Sequence, residues 1–367
     1  METKLHGWHV RAGARMIDFG GWDMPVQYAT GPREEHMRVR EAAGLFDIDH
    51  MGRLEVSGPG ALDFLQRVQT WDLSRLGPGR AHYSMLLNES GGVIDDIFVY
   101  HRADPAVWLL VLNAANTPKD RAWLQTSARA FKVSLRDRSA DTCLVALQGP
   151  AARRVLQPLC PGIDLGSVKY HRVVDCSMAG AEVILCTTGY TGEPGFEMLL
   201  PGPNCTRLWA ALLESGSAER LVPCGLAARD TLRAEAGLPL YGNEIDEQVD
   251  PLSAGLARAA VSLEGHDFIG RKALAALALE RPRSLLVGFE MQEPGVPRHG
   301  YAIAAGGAVV GRVTTGLFSP STGKYLGMGF VEASRAAVGQ QLSIVIRDTH
   351  KAARVVERPF YTSPHWR

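Results

Sequence analysis

A chain of 367 residues and 39.8 kDa is long enough for about two or three domains, each able to bury its own core. Hydrophobic residues make up 46% and charged residues 21%, near the averages of soluble globular proteins, which excludes wholesale disorder, collagen-like repetition and low-complexity architecture. Lys plus Arg and Asp plus Glu each number 39, so no global cationic field draws nucleic acid or an anionic membrane, although a local basic pocket is still allowed.

The opening stretch METKLHGWHVRAGARM lacks the unbroken apolar core of a secretory signal, and no run reaches the roughly 18 apolar residues of a membrane span. The expectation is a soluble, cytoplasmic protein with neither nucleic-acid nor membrane partners. Six cysteines (Cys143, Cys160, Cys176, Cys186, Cys205 and Cys224) show no C-x-x-C and no zinc-like Cys/His spacing. Buried free thiols are expected, and the even count leaves a bridge open.

In chain order, Arg33 to Ala43 reads as a helix, with Glu34 four residues before Arg38 and Gly44 as its C-terminal stop. Arg53 to Val56 alternates as a half-buried strand, and Ile97 to Tyr100 and Trp108 to Leu112 are apolar runs expected as strands, the latter buried on both faces. Thr117-Pro118 reads as a cap followed by proline at the first helical position, opening a helix through Trp123 and Leu124. A strand, then Gly-Pro, then a helix recurs at Gly58-Pro59, Gly149-Pro150 and Gly202-Pro203, the pattern an internal duplication of strand-helix units leaves. A helix of Ala and Leu runs to Glu280, and Arg281-Pro282-Arg283 breaks it. From Leu285 short β-type runs (LLVGFEM, YAIAAGG, AVVGRVTTG, LSIVIRD, ARVVERPF) alternate with Gly and Pro turns, which predicts a small all-β barrel or sandwich. The domains expected are 1–280, with two intertwined subdomains, and 283–367.

Four segments concentrate glycine, aromatic and ionisable residues beyond what plain strands or helices need. Asp18 to Tyr28, with two glycines and two aromatics, reads as a well-packed turn. In Gly91 to Asp96 a Gly-Gly turn leads into adjacent carboxylates, which strand alternation sends to opposite faces, so at most one of Asp95 and Asp96 enters a shared pocket. A carboxylate followed at once by Ile97-Phe98-Val99 is placed where desolvation raises its pKa, which suits proton transfer; a capping role competes. Thr188 to Glu197 has three glycines but no phosphate-loop pattern, and its terminal Glu suits a heterocycle with adjacent N–H donors, purine or pterin-like. In Gly225 to Arg233, Arg229 and Arg233 lie one turn apart on a helix, ordinarily a solvated face, unless Arg229 meets a carboxylate or a flat ring. There is no G-x-S-x-G elbow for a serine hydrolase and no legible Cys-His pairing. His50 reads as structural or pocket-lining.

The ordered strings MIDFGGWDMPVQY, EHMRVREAAGLFDIDHMG, LLNESGGVIDD, LNAAN, ALQGP, TGYTGEPGFE, GLAARDTLR, EAGLPLYGNEIDE, DFIGRKAL, PRHGY and TTGLFSPS closely resemble the glycine cleavage T-protein, or aminomethyltransferase, family over nearly the whole chain. The resemblance implies an α+β fold, with a duplicated strand-helix folate-binding region followed by a C-terminal all-β barrel-like domain around a central folate channel. It implies transfer of an aminomethyl group from the dihydrolipoyl arm of a carrier H-protein to tetrahydrofolate, giving 5,10-methylenetetrahydrofolate and ammonia, with no metal or redox cofactor. By motif position, Asp96 matches the family's key acid near the folate, Asp95 its structural partner, Glu197 and Tyr190 the pterin pocket, Arg229 a pocket arginine, and Met51, Tyr83, Val111 and Asn113 the cleft lining.

Two strings depart from the family pattern. D-V-S-H-M reads Asp47-Ile48-Asp49-His50-Met51 here, and E-D-G-F-E reads Glu193-Pro194-Gly195-Phe196-Glu197. They leave room for a tetrahydrofolate-dependent demethylase of a small methylated donor. A folate-binding accessory protein without transferase activity is a third reading, against which stand the absence of K-G-C-Y-x-G-Q-E and the retention of Asp96.

Overall fold

The computed structural model describes residues 1–366. Helix α1 (His6–Arg11) and the hairpin β1 (Arg15–Phe19) and β2 (Trp22–Gln27), turning at Gly20-Gly21, lead into α2 (Pro32–Glu41) and β3 (Gly44–Asp47). Gly44 is not the helix stop expected of it. α2 ends at Glu41, and a Cβ on Gly44 would meet Val39 at 2.4 Å and the Cys224 sulfur at 2.6 Å, so glycine is needed here for close packing.

Two units of the same design follow. The first is β4 (Gly52–Ser57), α3 (Ala61–Val68), β5 (Arg80–Leu87), β6 (Val93–His101), β7 (Val107–Leu112), α4 (Thr117–Ala128) and β8 (Ser134–Asp137). The second is β9 (Thr142–Gln148), α5 (Ala152–Leu156), β10 (Val173–Met178), β11 (Ala181–Cys186), β12 (Gly195–Pro201), α6 (Cys205–Ser215) and β13 (Val222–Cys224). Their sheets run β5-β6-β7-β4-β8 and β10-β11-β12-β9-β3-β13. In each, a strand and a helix are followed by a three-stranded meander whose last strand returns to pair antiparallel with the first. β3, which precedes the first unit, pairs with β9 of the second, so a strand contributed across the boundary ties the units together.

The repeat is two-fold, as a duplication requires, but only two of the three Gly-Pro steps mark it. Gly58-Pro59 and Gly149-Pro150 hold equivalent places after the first strand of each unit, with φ of 110° and 125° that favour glycine. Gly202-Pro203 instead follows the last meander strand and opens α6, as Asn116, Thr117 and Pro118 open α4. Asn116, one residue before the expected Thr117, is the cap position of α4, and its side chain makes no capping bond.

The sheets face one another, and strand alternation divides their residues by layer. Leu144 and Ala146 of β9, Phe98 and Tyr100 of β6, and Leu109 and Val111 of β7 meet between the sheets. Cys143, Val145 and Leu147 point the other way, against Trp209 and Leu208 of α6. Trp108, Leu110 and Leu112 pack against Phe64 and Leu65 of α3 and Leu124 of α4. This burial on both faces is why β7 is an unbroken apolar run. The expectation of free thiols fails at one pair: β9 and the start of α6 bring Cys143 and Cys205, 62 residues apart, to a Cα separation of 5.9 Å, and they are disulfide-bonded. The other four cysteines are free and buried.

Helices α7 (Leu226–Glu235), α8 (Ala257–Ala260) and α9 (Arg271–Glu280) precede β14 (Ser284–Met291), β15 (Ala302–Ala305), β16 (Ala308–Phe318), β17 (Tyr325–Glu332), β18 (Gln341–Ile346) and β19 (Thr349–Val356). These six strands close into a barrel in the order β14-β17-β16-β15-β18-β19. β17 was not among the expected runs, because Gly327 and Gly329 dilute its β signal. Arg233 is not on a solvated face: it is buried, donates to Glu244 at 2.9 Å and reaches Thr315 of the barrel at 2.9 Å. His36 and Glu235 likewise bind Ser321, so a buried polar seam docks the barrel. Among the described residues no helix is long and apolar enough to cross a membrane.

Candidate functional site

The meander of the first unit sets two neighbouring carboxylates on opposite faces of β6. Ile97 and Val99, which share a face with Asp95, enter the helix-covered core, whereas Phe98 and Tyr100, which share a face with Asp96, line the space between the sheets. Asp95 is fully buried, and Asp96 keeps an accessible edge. The Tyr83 hydroxyl, across the β5–β6 pair, donates to Asp96 Oδ2 at 3.0 Å. Asn113, just beyond β7, donates from Nδ2 to Asp96 Oδ1 at 2.7 Å and to Asp95 Oδ1 at 2.9 Å, clamping the two acids together. Its backbone N–H and the Asn116 amide complete three donor groups on Asp95, at 3.0 and 2.6 Å. Burial first, and the Asp95 charge second, push the Asp96 carboxyl up to about 7. A carboxyl poised there can both accept and return a proton near neutral pH.

The second unit supplies the opposite wall. Glu197 of β12 shares a strand face with Leu199, toward the same space, and its Oε2 accepts from the Thr188 hydroxyl at 2.5 Å and the Tyr100 hydroxyl at 3.1 Å. Oε1 makes no hydrogen bond among the described residues, so one oxygen is free for a ligand. The Arg229 guanidinium lies 4.6 Å from the centre of the Tyr190 ring, a cation–π contact, and it has no carboxylate partner among the described residues. Burial lowers its pKa, opposed by Tyr190 and Glu197. Tyr190 donates to the Pro239 carbonyl, and burial chiefly raises its pKa, with the Asp96 charge adding.

Met51 and Val111 sit on the rim of the apolar layer, Val111 opposite Phe98 in the β6–β7 pair. All eight expected site residues, Met51, Tyr83, Asp96, Val111, Asn113, Tyr190, Glu197 and Arg229, are half-buried, the exposure of groups that line a cleft. Six of them form two groupings, Asp96 with Tyr83 and Asn113, and Glu197 with Arg229 and Tyr190, while Met51 and Val111 stay at the rim. Phe98 joins them, with its ring 6.2 Å from Tyr83 and 5.4 Å from Tyr100. The aromatic wall continues to His171, 5.3 Å from Phe98, at an open cavity of about 310 Å³ that also carries Arg75, Arg80 and Arg172.

Tyr100 and Thr188 were missed by sequence reading. The signal for Tyr100 was present, since it lies four residues after Asp96 and alternation returns it to the same face. Asp49, the added carboxylate, does not enter the cleft: it pairs with Arg53 at 2.9 Å and Lys4 at 3.3 Å, fully buried. Pro194 accepts a backbone bond from Gly149 at 2.8 Å, beside the chain turn. His50 is buried and neutral, its pKa lowered to about 3 by burial and by Arg229.

Comparison with known proteins places this geometry among relatives. Residues 5–264 match the GCVT N-terminal domain and residues 285–362 the glycine cleavage T-protein C-terminal barrel domain. An aminomethyltransferase of Symbiobacterium thermophilum is 49% identical over 100% of this chain and 98% of its own length. One from Geobacillus kaustophilus is 44% identical over 98% of each chain. The crystal structure of the glycine cleavage system aminomethyltransferase T from Bartonella henselae superposes with a TM-score of 0.92 at 34% identity, covering 99% of this chain and 98% of that one.

Proposed function

This chain belongs to the glycine cleavage T-protein family of aminomethyltransferases, and from that premise we propose that its inter-sheet cleft passes an aminomethyl group from the dihydrolipoyl arm of an H-protein to tetrahydrofolate, releasing ammonia. The observation that carries the reading is Asp96, held between Tyr83 and Asn113 with its carboxyl raised to about 7, across an aromatic cleft from Glu197 and Arg229. We assign residues 1–280 to the transfer region and 283–367 to the C-terminal domain, and the reaction to the cytoplasm.

The exchange is balanced by protons. The methylene carbon gives up its bonds to the lipoyl sulfur and to the amine nitrogen and gains bonds to two folate nitrogens, and the two protons those nitrogens release end on the thiol and on ammonia. Little covalent chemistry is asked of the protein if both substrates are held in attack geometry. Asp96 accepts a proton from the folate and returns it to a leaving group. Glu197, with Oε1 free, accepts the adjacent N–H groups of the pterin edge, and Tyr100 and Thr188 hold it in place. Arg229, fixed over Tyr190, stacks on or hydrogen-bonds the flat ring.

The test is product formation from aminomethylated H-protein and tetrahydrofolate, with a binding titration of tetrahydrofolate on the same sample. Stoichiometric ammonia and 5,10-methylenetetrahydrofolate are expected. Tetrahydrofolate binding without use of the carrier would mean that the donor is wrong, and no binding would overturn the site assignment.

A further inference from the structure

The acids behind Asp96 do not end at Asp95. Asp120 lies one turn after Asn116, its N–H bonded to the Asn116 carbonyl at 2.9 Å, on the face of α4 from which the Asn116 amide donates to Asp95. Its side chain is fully buried, and neither carboxyl oxygen has a donor in reach. What it meets is the Asp95 carboxyl. Lys119 beside it is turned to the Ile94 carbonyl, the Tyr241 hydroxyl and Glu247. Of two carboxyl groups in buried contact, one already takes three N–H bonds from Asn113 and Asn116 to its oxygens and the other takes none, so a proton between them belongs on the second.

We propose that Asp120 is a positioning residue for proton transfer: it stays protonated, donates its O–H to Asp95, and thereby holds in place the negative charge that governs Asp96. The order is a relay of roles without transfer along it, with Asp120 supplying a hydrogen bond, Asp95 a fixed charge and Asp96 the mobile proton. Burial and the Asp95 charge act in the same direction, raising the Asp120 carboxyl to about 10. The other groups facing Asp96 are Tyr83, Asn113 and Tyr190, the last carrying Arg229 on its ring.

The inference rests on the reading of Asp96 as the proton carrier, and its test is read without turnover. The Asp96 titration is followed as the carboxyl infrared difference between the full-length protein and its Asp96→Asn variant across pH, in the wild-type, Asp120→Asn and Asp120→Ala backgrounds. Asp120→Asn keeps a neutral donor of the same shape, and the Asp96 midpoint is expected within about half a unit of wild type. A fall of about one unit or more would mean that Asp120 had carried a charge, since a nearby like charge shifts a carboxylate by that order, and would overturn the proposal. Asp120→Ala removes the donor that fixes the Asp95 charge beside Asp96, so the repulsion on Asp96 weakens and the midpoint falls by about one unit. An unmoved midpoint in folded Asp120→Ala would also overturn the proposal, because a merely structural role lowers stability without moving the titration. If Asp120→Ala does not fold, Asp120→Asn decides alone. Failure of the transfer assay leaves this titration untouched, so the two readings fail separately.

Discussion

On β6 of the first sheet, Asp96 is backed by two more acids and lifted toward neutrality, whereas on β12 of the second, Glu197 is met by the hydroxyls of Tyr100 and Thr188 with Arg229 nearby. The strand orders of the two units match through the meander and the first strand, and both carboxylates face the same space. The difference lies in what stands behind each. Burial and the Asp95 charge raise the Asp96 carboxyl toward proton exchange, whereas Glu197 keeps one oxygen free beside the Arg229 cation. On the proposed reading, one duplicated frame supplies a wall for chemistry and a wall for recognition.

The sharpest way to break this contrast is to neutralise each wall in turn. Asp96→Asn keeps the shape and one acceptor but cannot carry the proton, so the transfer rate is expected to fall by about 10²–10⁴-fold with tetrahydrofolate affinity within a few-fold of wild type. Single-turnover rates alongside a binding titration check it, and equal losses in both would erase the distinction between the walls. Glu197→Gln places an N–H₂ against hydroxyl or ligand donors, and loss of charged hydrogen bonds of about 1.5–3 kcal/mol predicts affinity weakened by about 10- to 150-fold, with the rate at saturation much less changed. Isothermal titration decides it.

The same contrast has a signature in stability. Burial and the Asp95 charge push the folded Asp96 carboxyl up to about 7 from its ordinary 3.8, so its protonated form is favoured by folding. That contribution is whole below about pH 4 and is lost as pH rises through 7. Glu235 in the barrel seam is the reverse, lowered to about 2 chiefly by its bonds to His36, Ser319 and Ser321, which outweigh burial. Its contribution is present above about pH 4.5 and lost as pH falls through about 2. The Tm of wild type minus that of Asp96→Asn should therefore fall by a few degrees between pH 4 and 8. The difference from Glu235→Gln should instead rise between pH 2 and 5; a flat line in either series would contradict the corresponding assignment. The smallest effect is expected from Tyr100→Phe, which removes one of two hydroxyl donors from Glu197 and should weaken tetrahydrofolate by about three- to ten-fold, on the order of 1 kcal/mol.

Much of this was legible in the residues, and the places where it was not share a cause. Alternation alone separated Asp95 from Asp96, because period two is a property of the strand and needs no partner. The barrel strands announced themselves by β-branched runs, except β17, where Gly327 and Gly329 stand at close approaches that only the neighbouring strands explain. Gly44 read as a helix stop and is a packing glycine, since Val39 and Cys224 are brought against it by chain folding. The Cys143–Cys205 bridge was invisible for the same reason, its halves lying on a strand and a helix 62 residues apart.

By itself the sequence determined several of the strands and helices, the duplication of a unit, which face each side chain of β6 takes, and which ordered motifs the chain shares with its family. These follow from local sterics and periodicity, which act over a few residues. Only the tertiary structure decided which Gly-Pro steps mark the repeat and that β3 is shared across it, that Asp49 is spent on Arg53 and Lys4, that Arg233 is a buried strut while Arg229 faces the cleft, and that Asp120 stands behind Asp95. Each of these depends on which groups desolvate one another. Burial and charge are properties of neighbours in space, and the chain sets its neighbours only by folding.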